Sequence, residues 1–289
     1  MSDTRTDSIL ARAPHRIGKV TLAVLDLSTV SRFYRDVIGL AVIETNPDAV
    51  RLGTANSVLL ELRHEPGARA RSPREAGLFH TAFLLPSRAD LGAWTAHAAE
   101  RRFPLHGAAD HRVSEALYLS DPEGNGIEIY ADRPSATWPR ASGMIEMPSD
   151  PLDLQDLVRA AAGRRWSGIP QGSTVGHMHL QVGAIPEAET FYADLLGFEI
   201  TCRYPGGSFY GSGGYHHQLA TNIWNSRGAA PRTDITTGLA HFEIVAANDD
   251  VVEAARERLT RAGYALAEGE SGLQVKDPWG TSMSLGTAS

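Results

Sequence analysis

Three histidines occupy the same place in a recurring strand-like pattern. His80 lies in Leu78-Phe-His-Thr-Ala-Phe-Leu-Leu, His177 in Val175-Gly-His-Met-His-Leu-Gln-Val and His241 in Leu239-Ala-His-Phe-Glu-Ile-Val. A fourth copy, Ile17-Gly-Lys-Val-Thr-Leu-Ala-Val, carries Lys19 there. Glutamates recur downstream, Glu61 within 57–63 and Glu128 in Asp121-Pro-Glu-Gly-Asn-Gly-Ile-Glu-Ile-Tyr, whereas the matching close Asp277-Pro-Trp-Gly-Thr-Ser-Met-Ser-Leu has Ser284. Neutral imidazole and carboxylate are the side chains that hold a divalent transition ion. Spacing alone thus marks a candidate metal site. Glu128 strengthens it, because a carboxylate in the apolar run Ile127-Glu-Ile-Tyr is costly to bury unpaired.

These residues need elements to position them. Each copy opens with a period-two strand; in the third, His177, His179 and Gln181 share one face, and Met178, Leu180 and Val182 the other. The apolar face needs cover, and the next segment supplies it as a helix. Ala188, Phe191 and Leu195 form a helical stripe ending at Gly197, and Val30, Phe33, Tyr34 and Val37 do the same before Gly39. Longer helices are predicted over 89–102 and 250–262. Three short strands separated by Gly-rich turns complete each unit.

The expectation is an α+β chain of four βαβββ modules, 17–66, 77–133, 174–226 and 237–289, after a tail 1–16. Two curled half-barrel pairs would enclose cavities lined by the polar faces. The halves 17–133 and 174–289 flank a Pro-rich linker, 134–173, read as crossing the surface with one helix from Asp150 as cap to Ala162. A net charge of −7 without a basic cluster argues against nucleic acid. The single Cys202, no apolar run near the roughly 18 residues of a membrane span, and a polar 1–7 suggest a soluble cytoplasmic protein, its oligomeric state open.

The H-x-x-L-x-V openings, F-Y-x-D-x-L-G-F helix ends and D-P-x-G-N-x-I-E closings resemble the vicinal oxygen chelate superfamily of glyoxalases, bleomycin-resistance proteins and extradiol dioxygenases. The stretch 114–134 together with Gly213-Gly-Tyr-His-His is similar to catechol-2,3-dioxygenases of the CatE type. The resemblance covers about 17–285. It implies one metal ligand from a module's first strand and another from its last.

Carried over residue by residue, the first-strand positions are Lys19, His80, His177 and His241, and the last-strand positions include Glu61, Glu128 and Ser284. Copy three's last strand is read as carrying Tyr215-His-His-Gln in place of a single carboxylate. Protonated Lys19 and neutral Ser284 are poor donors, so the outer modules are damaged. The inner ones yield His80, His177 and Glu128, the set expected for Fe(II), with Mn(II) as the other ion using the same ligands.

The resemblance further implies His217 as acid/base, with His216 as the competing assignment because alternation would let only one face the cavity. His111 and Tyr118 are implied to contact the substrate diol. The expected activity is extradiol ring cleavage of a catechol-like aromatic diol with O2. Two other readings stand beside it: a glyoxalase-like metal-dependent isomerase or lyase, in which Glu61 would join His80 and Glu128, and a metal-free small-molecule binding protein. A Lys19–Glu61 ion pair is the simpler fate for Glu61, and a structural role is favoured for His241.

Overall fold

A computed structural model describes residues 9–288. Two eight-stranded sheets carry the chain, with a small hairpin, Arg140–Ala141 and Met144–Ile145, in the linker. One sheet runs Glu199–Tyr204, Gly207–Gly211, Leu219–Asn222, Thr174–Gln181, Gly77–Leu84, Gly126–Asp132, Ser114–Ser120, Gly107–Asp110. It joins modules two and three. The other runs Ala267–Gly269, Gly272–Lys276, Ser282–Thr287, Gly238–Ala246, His15–Val24, Ser57–His64, Ala49–Thr54, Ala41–Thr45, joining modules four and one. Both are the curled, cupped sheets that four βαβββ modules imply. Each draws on both halves of the chain.

The helices bury part of each expected stripe, with Phe33, Val37 and Leu195 only half-buried. Leu27–Phe33 continues as a wider π-type turn, Tyr34–Ile38, burying Val30, Tyr34 and Ile38; Ile185–Glu189 continues as Thr190–Leu195, burying Ala188, Phe191 and Tyr192. Gly39 ends the first at φ +83°, a conformation costly for any residue with a Cβ. Ser87 and Asn248 cap the longer helices Arg88–Arg101 and Asp249–Arg261 by accepting from the N–H groups of Asp90 and Val251.

The two sequence signatures meet in space. Tyr34 of the first module donates to Asp121 in the second module's Asp-Pro turn (3.4 Å), and Tyr192 does the same for Asp277 (2.9 Å). Each Asp also accepts two backbone N–H bonds that close its turn. Modules are thus linked within a half by a Tyr–Asp contact and across halves by strand pairing.

The linker differs from expectation. Its helix is Leu154–Ala160, capped by Asp153, because the Asp150 backbone instead bridges to Asp110 and its carboxylate pairs with Arg112. Before that helix the segment does not merely cross the surface. Trp138 and Ile145 are buried in a cluster with Leu10, Val113 and Tyr215, beside the inner sheet's site. Among the described residues, no helix is long and apolar enough to cross a membrane.

Candidate metal centre

Strand register assembles the inner site. Gly77–Leu84 lies antiparallel to Thr174–Gln181 and parallel to Gly126–Asp132, so His177, Ala82 and Glu128 face one another across three strands, with Tyr118 next to Glu128 on a fourth. His80 stands two residues before Ala82 and so shares its face. The Nε2 atoms of His80 and His177 are 3.3 Å apart; Glu128 Oε2 is 3.0 Å from the first and 3.2 Å from the second. All three side chains are buried.

The two imidazole nitrogens and the carboxylate oxygen lie within hydrogen-bonding distance, so either Nε2–H groups donated to Glu128 or a cation between the three would hold the triangle. Right-angled donors about 2.1 Å from a small divalent ion lie about 3.0 Å apart, so the triangle has the size of a coordination face. Burial pushes His177 down to about 4, outweighing the opposing pull of Glu128, which leaves a neutral imidazole able to donate its lone pair at pH 7. The donor set fits a divalent metal.

Around it, burial and the nearby Glu128 carboxylate hold the Tyr118 hydroxyl well above its usual range. His111 Nδ1 lies 2.7 Å from the carbonyl of Pro148, which only accepts, so Nδ1 carries the proton. His111 Nε2 therefore accepts from the Tyr118 hydroxyl, 2.7 Å away. His217 packs on His177 with ring centroids 4.2 Å apart. Burial and the neighbouring His177 and His216 push His217 well below its ordinary value, so its resting form is a neutral base rather than a group poised near pH 7.

The site lies in one sheet. Glu61 is not part of it: Glu61 belongs to the outer sheet, where Lys19 Nζ (2.9 Å), Arg51 Nε (3.1 Å) and Arg63 Nε (2.6 Å) surround its carboxylate. The expected Lys19–Glu61 pair is present, and the Glu61–His80–Glu128 grouping is not formed. His241 is held between the hydroxyls of Ser282 and Ser284, at 3.0 and 3.1 Å. Tyr215-His-His-Gln precedes the third module's last strand, Leu219–Asn222, and pairing puts Ala220 opposite His179 there. Period-two alternation therefore does not govern His216 and His217, and both are buried.

Several contributors escape the sequence motifs. Asp132, Trp138 and the Pro148 carbonyl reach the site from its rim, and Trp224 meets His179 edge-on with ring centroids 5.4 Å apart. Only the D-R-P continuation after the Glu128 strand hints at Asp132 in the sequence.

The chain belongs to the Glyoxalase/Bleomycin resistance protein/Dioxygenase superfamily, whose profile matches residues 16–129 and 174–282. It is 40% identical over 267 residues to Catechol-2,3-dioxygenase of Bacillus subtilis (strain 168), covering 91% of this chain and 93% of that protein. Biphenyl-2,3-diol 1,2-dioxygenase 3 of Rhodococcus globerulus is 30% identical over 120 residues, covering 40% of this chain and 63% of the relative. Glyoxalase I from Zea mays superposes with a TM-score of 0.56 at 14% identity, covering 96% of this chain and 94% of that structure; this likeness concerns the fold alone.

Proposed function

We propose that this chain is an extradiol dioxygenase that opens the ring of a catechol-like aromatic diol with O2, using Fe(II), or Mn(II) in its place, held by His80, His177 and Glu128. The buried triangle of those donors carries the reading, and the dioxygenase names of the two sequence relatives support it. Such an ion supplies the redox chemistry and a shared anchor for diol and O2.

The chain's own residues do the rest. Two neutral imidazoles and one carboxylate leave a divalent ion with net positive charge, which favours an anionic diol over a neutral one. Tyr118, its one proton given to His111, is placed to accept a hydrogen bond from the remaining diol hydroxyl; its raised pKa keeps it a neutral phenol rather than an anion. His217, neutral beside His177, takes and returns a proton during ring opening. Phe209, 5.1 Å from His217 by ring centroids, gives a planar substrate an aromatic neighbour. A glyoxalase-like site has less support, since Glu61 is committed to the outer sheet.

Metal analysis of anaerobically purified protein, followed by oxygen uptake with a panel of catechols and hydroquinones, tests the proposal. About one iron or manganese per chain, lost on Glu128→Ala, together with O2 uptake driven by a catechol, is the expected result. Full metal occupancy in Glu128→Ala sinks the ligand assignment. Metal-free protein that binds an aromatic compound without consuming oxygen sinks the enzyme reading.

A further inference from the structure

We propose that Asp132 and His216 are positioning residues that fix the tautomer and orientation of His217, so that His217 presents an unprotonated Nε2 to the cavity. The catalytic consequence rests on the reading of His217 as the acid/base. The geometry stands on its own. His216 Nε2 lies 2.9 Å from Asp132 Oδ1, and His216 Nδ1 lies 2.8 Å from His217 Nδ1. His216 is fully buried, its ring packed at a tilt against Tyr215 and met edge-on by Trp138, with centroids at 4.1 and 5.0 Å. Asp132 Oδ1 also faces the Tyr215 hydroxyl at 3.3 Å.

Hydrogen-bond logic runs one way along this chain. A carboxylate only accepts, so His216 must donate from Nε2. In a neutral His216 the other nitrogen, Nδ1, is then an acceptor. With both rings neutral, as proposed for the resting state, His217 donates to it from Nδ1 and keeps its lone pair on Nε2. Asp132 thus sets the chemistry of a residue it never touches. It sits at the end of the strand that carries Glu128, so one element supplies a proposed metal ligand and the anchor of the proposed base. Packing by Trp138 and Tyr215 leaves the His216 ring little room to flip.

The test uses the full chain, metal-free, with its imidazole nitrogens labelled with 15N, and long-range proton–nitrogen spectra assigned against His217→Gln. Wild type is expected to show His217 protonated at Nδ1 and bare at Nε2. Asp132→Asn removes the obligate acceptor for His216 Nε2–H, so His217 is expected to gain a population of the Nε2–H form that wild type lacks. In the metal-loaded protein, Asp132→Asn should lower kcat about 100-fold or more, with KM and metal content unchanged; a merely structural role would move these together.

His216→Phe, which keeps ring bulk but breaks the chain, should lose kcat similarly and serves if Asp132→Asn does not fold. A wild-type His217 protonated at Nε2, or wild-type kcat in His216→Phe, overturns the proposal. The nitrogen spectra decide the tautomer whether or not any catechol is opened, so failure of the relay and failure of the dioxygenase reading give different results.

Discussion

At the scale of single residues, Ala82 is as informative as the three donors. It is fully buried and paired in register with Glu128 on one side and His177 on the other, so its methyl group lies beneath the point where their side chains converge. A larger side chain there would project between the donors. Ala82 packs with Ala116 and Tyr130, so Ala82→Leu is expected to cost about 1–3 kcal/mol by overpacking while weakening metal binding about tenfold or more. Metal titration of the apoprotein measures this; wild-type affinity in Ala82→Leu would mean that the ion, if bound, sits elsewhere. That His80, His177 and Glu128 would come together was legible because the family resemblance marks first- and last-strand positions, and strand alternation fixes which face each takes. The Pro148 carbonyl and Asp132 were not, since a carbonyl has no sequence signature and an Asp at a strand end looks like any solvated carboxylate.

At the scale of elements, the linker shows where local rules stop. Proline spacing and an Asp before a helix gave the right kind of element but the wrong cap, Asp150 for Asp153, because the Asp150 backbone is already committed to Asp110. Nothing local shows that Trp138 turns inward against His216. Linker helix Leu154–Ala160 is seated on Arg88–Arg101 by close backbone approach at Gly92, where an added Cβ would lie 2.2 Å from the Leu157 carbonyl oxygen. Arg88 fastens the same contact by bridging Glu115 and Asp156, and Arg164 pairs with Asp90. Backbone cannot yield as a side-chain tip can, so Gly92→Ala should displace the linker helix and destabilise the chain by about 1–3 kcal/mol despite alanine's better helix propensity. Denaturant unfolding reads this directly, and an increase in stability would show that the helices separate freely.

At the scale of the whole molecule, the same sheet architecture is used twice with opposite electrostatic solutions. The inner sheet gathers neutral imidazoles and a carboxylate around the proposed ion. The outer sheet puts Lys19 in the position of His80 and supplies its own cation, shared between Glu61 at 2.9 Å and Glu243 at 3.6 Å. Burial alone would raise the Glu61 carboxyl, but hydrogen bonds and charge from Lys19 and Arg63 bring it from an ordinary 4.5 down to about 2. A carboxyl depressed on folding adds stability that is fully present above its unfolded pKa and disappears as pH falls through its folded one. The window is therefore about pH 4.5 down to 2. Arg51 and Arg63 are half exposed, so solvent screening reduces the contribution to about 1–2 kcal/mol. Glu61→Gln should lower stability by that amount at pH 7, and the gap from wild type should narrow steadily as the pH drops toward 2. Urea midpoints for both proteins across pH 7 to 2 measure it. A gap that stays constant over that range would mean that Glu61 acts through packing rather than charge. Metal content should match wild type throughout the neutral range, because the exchanged carboxylate belongs to the sheet that already carries its own positive charge.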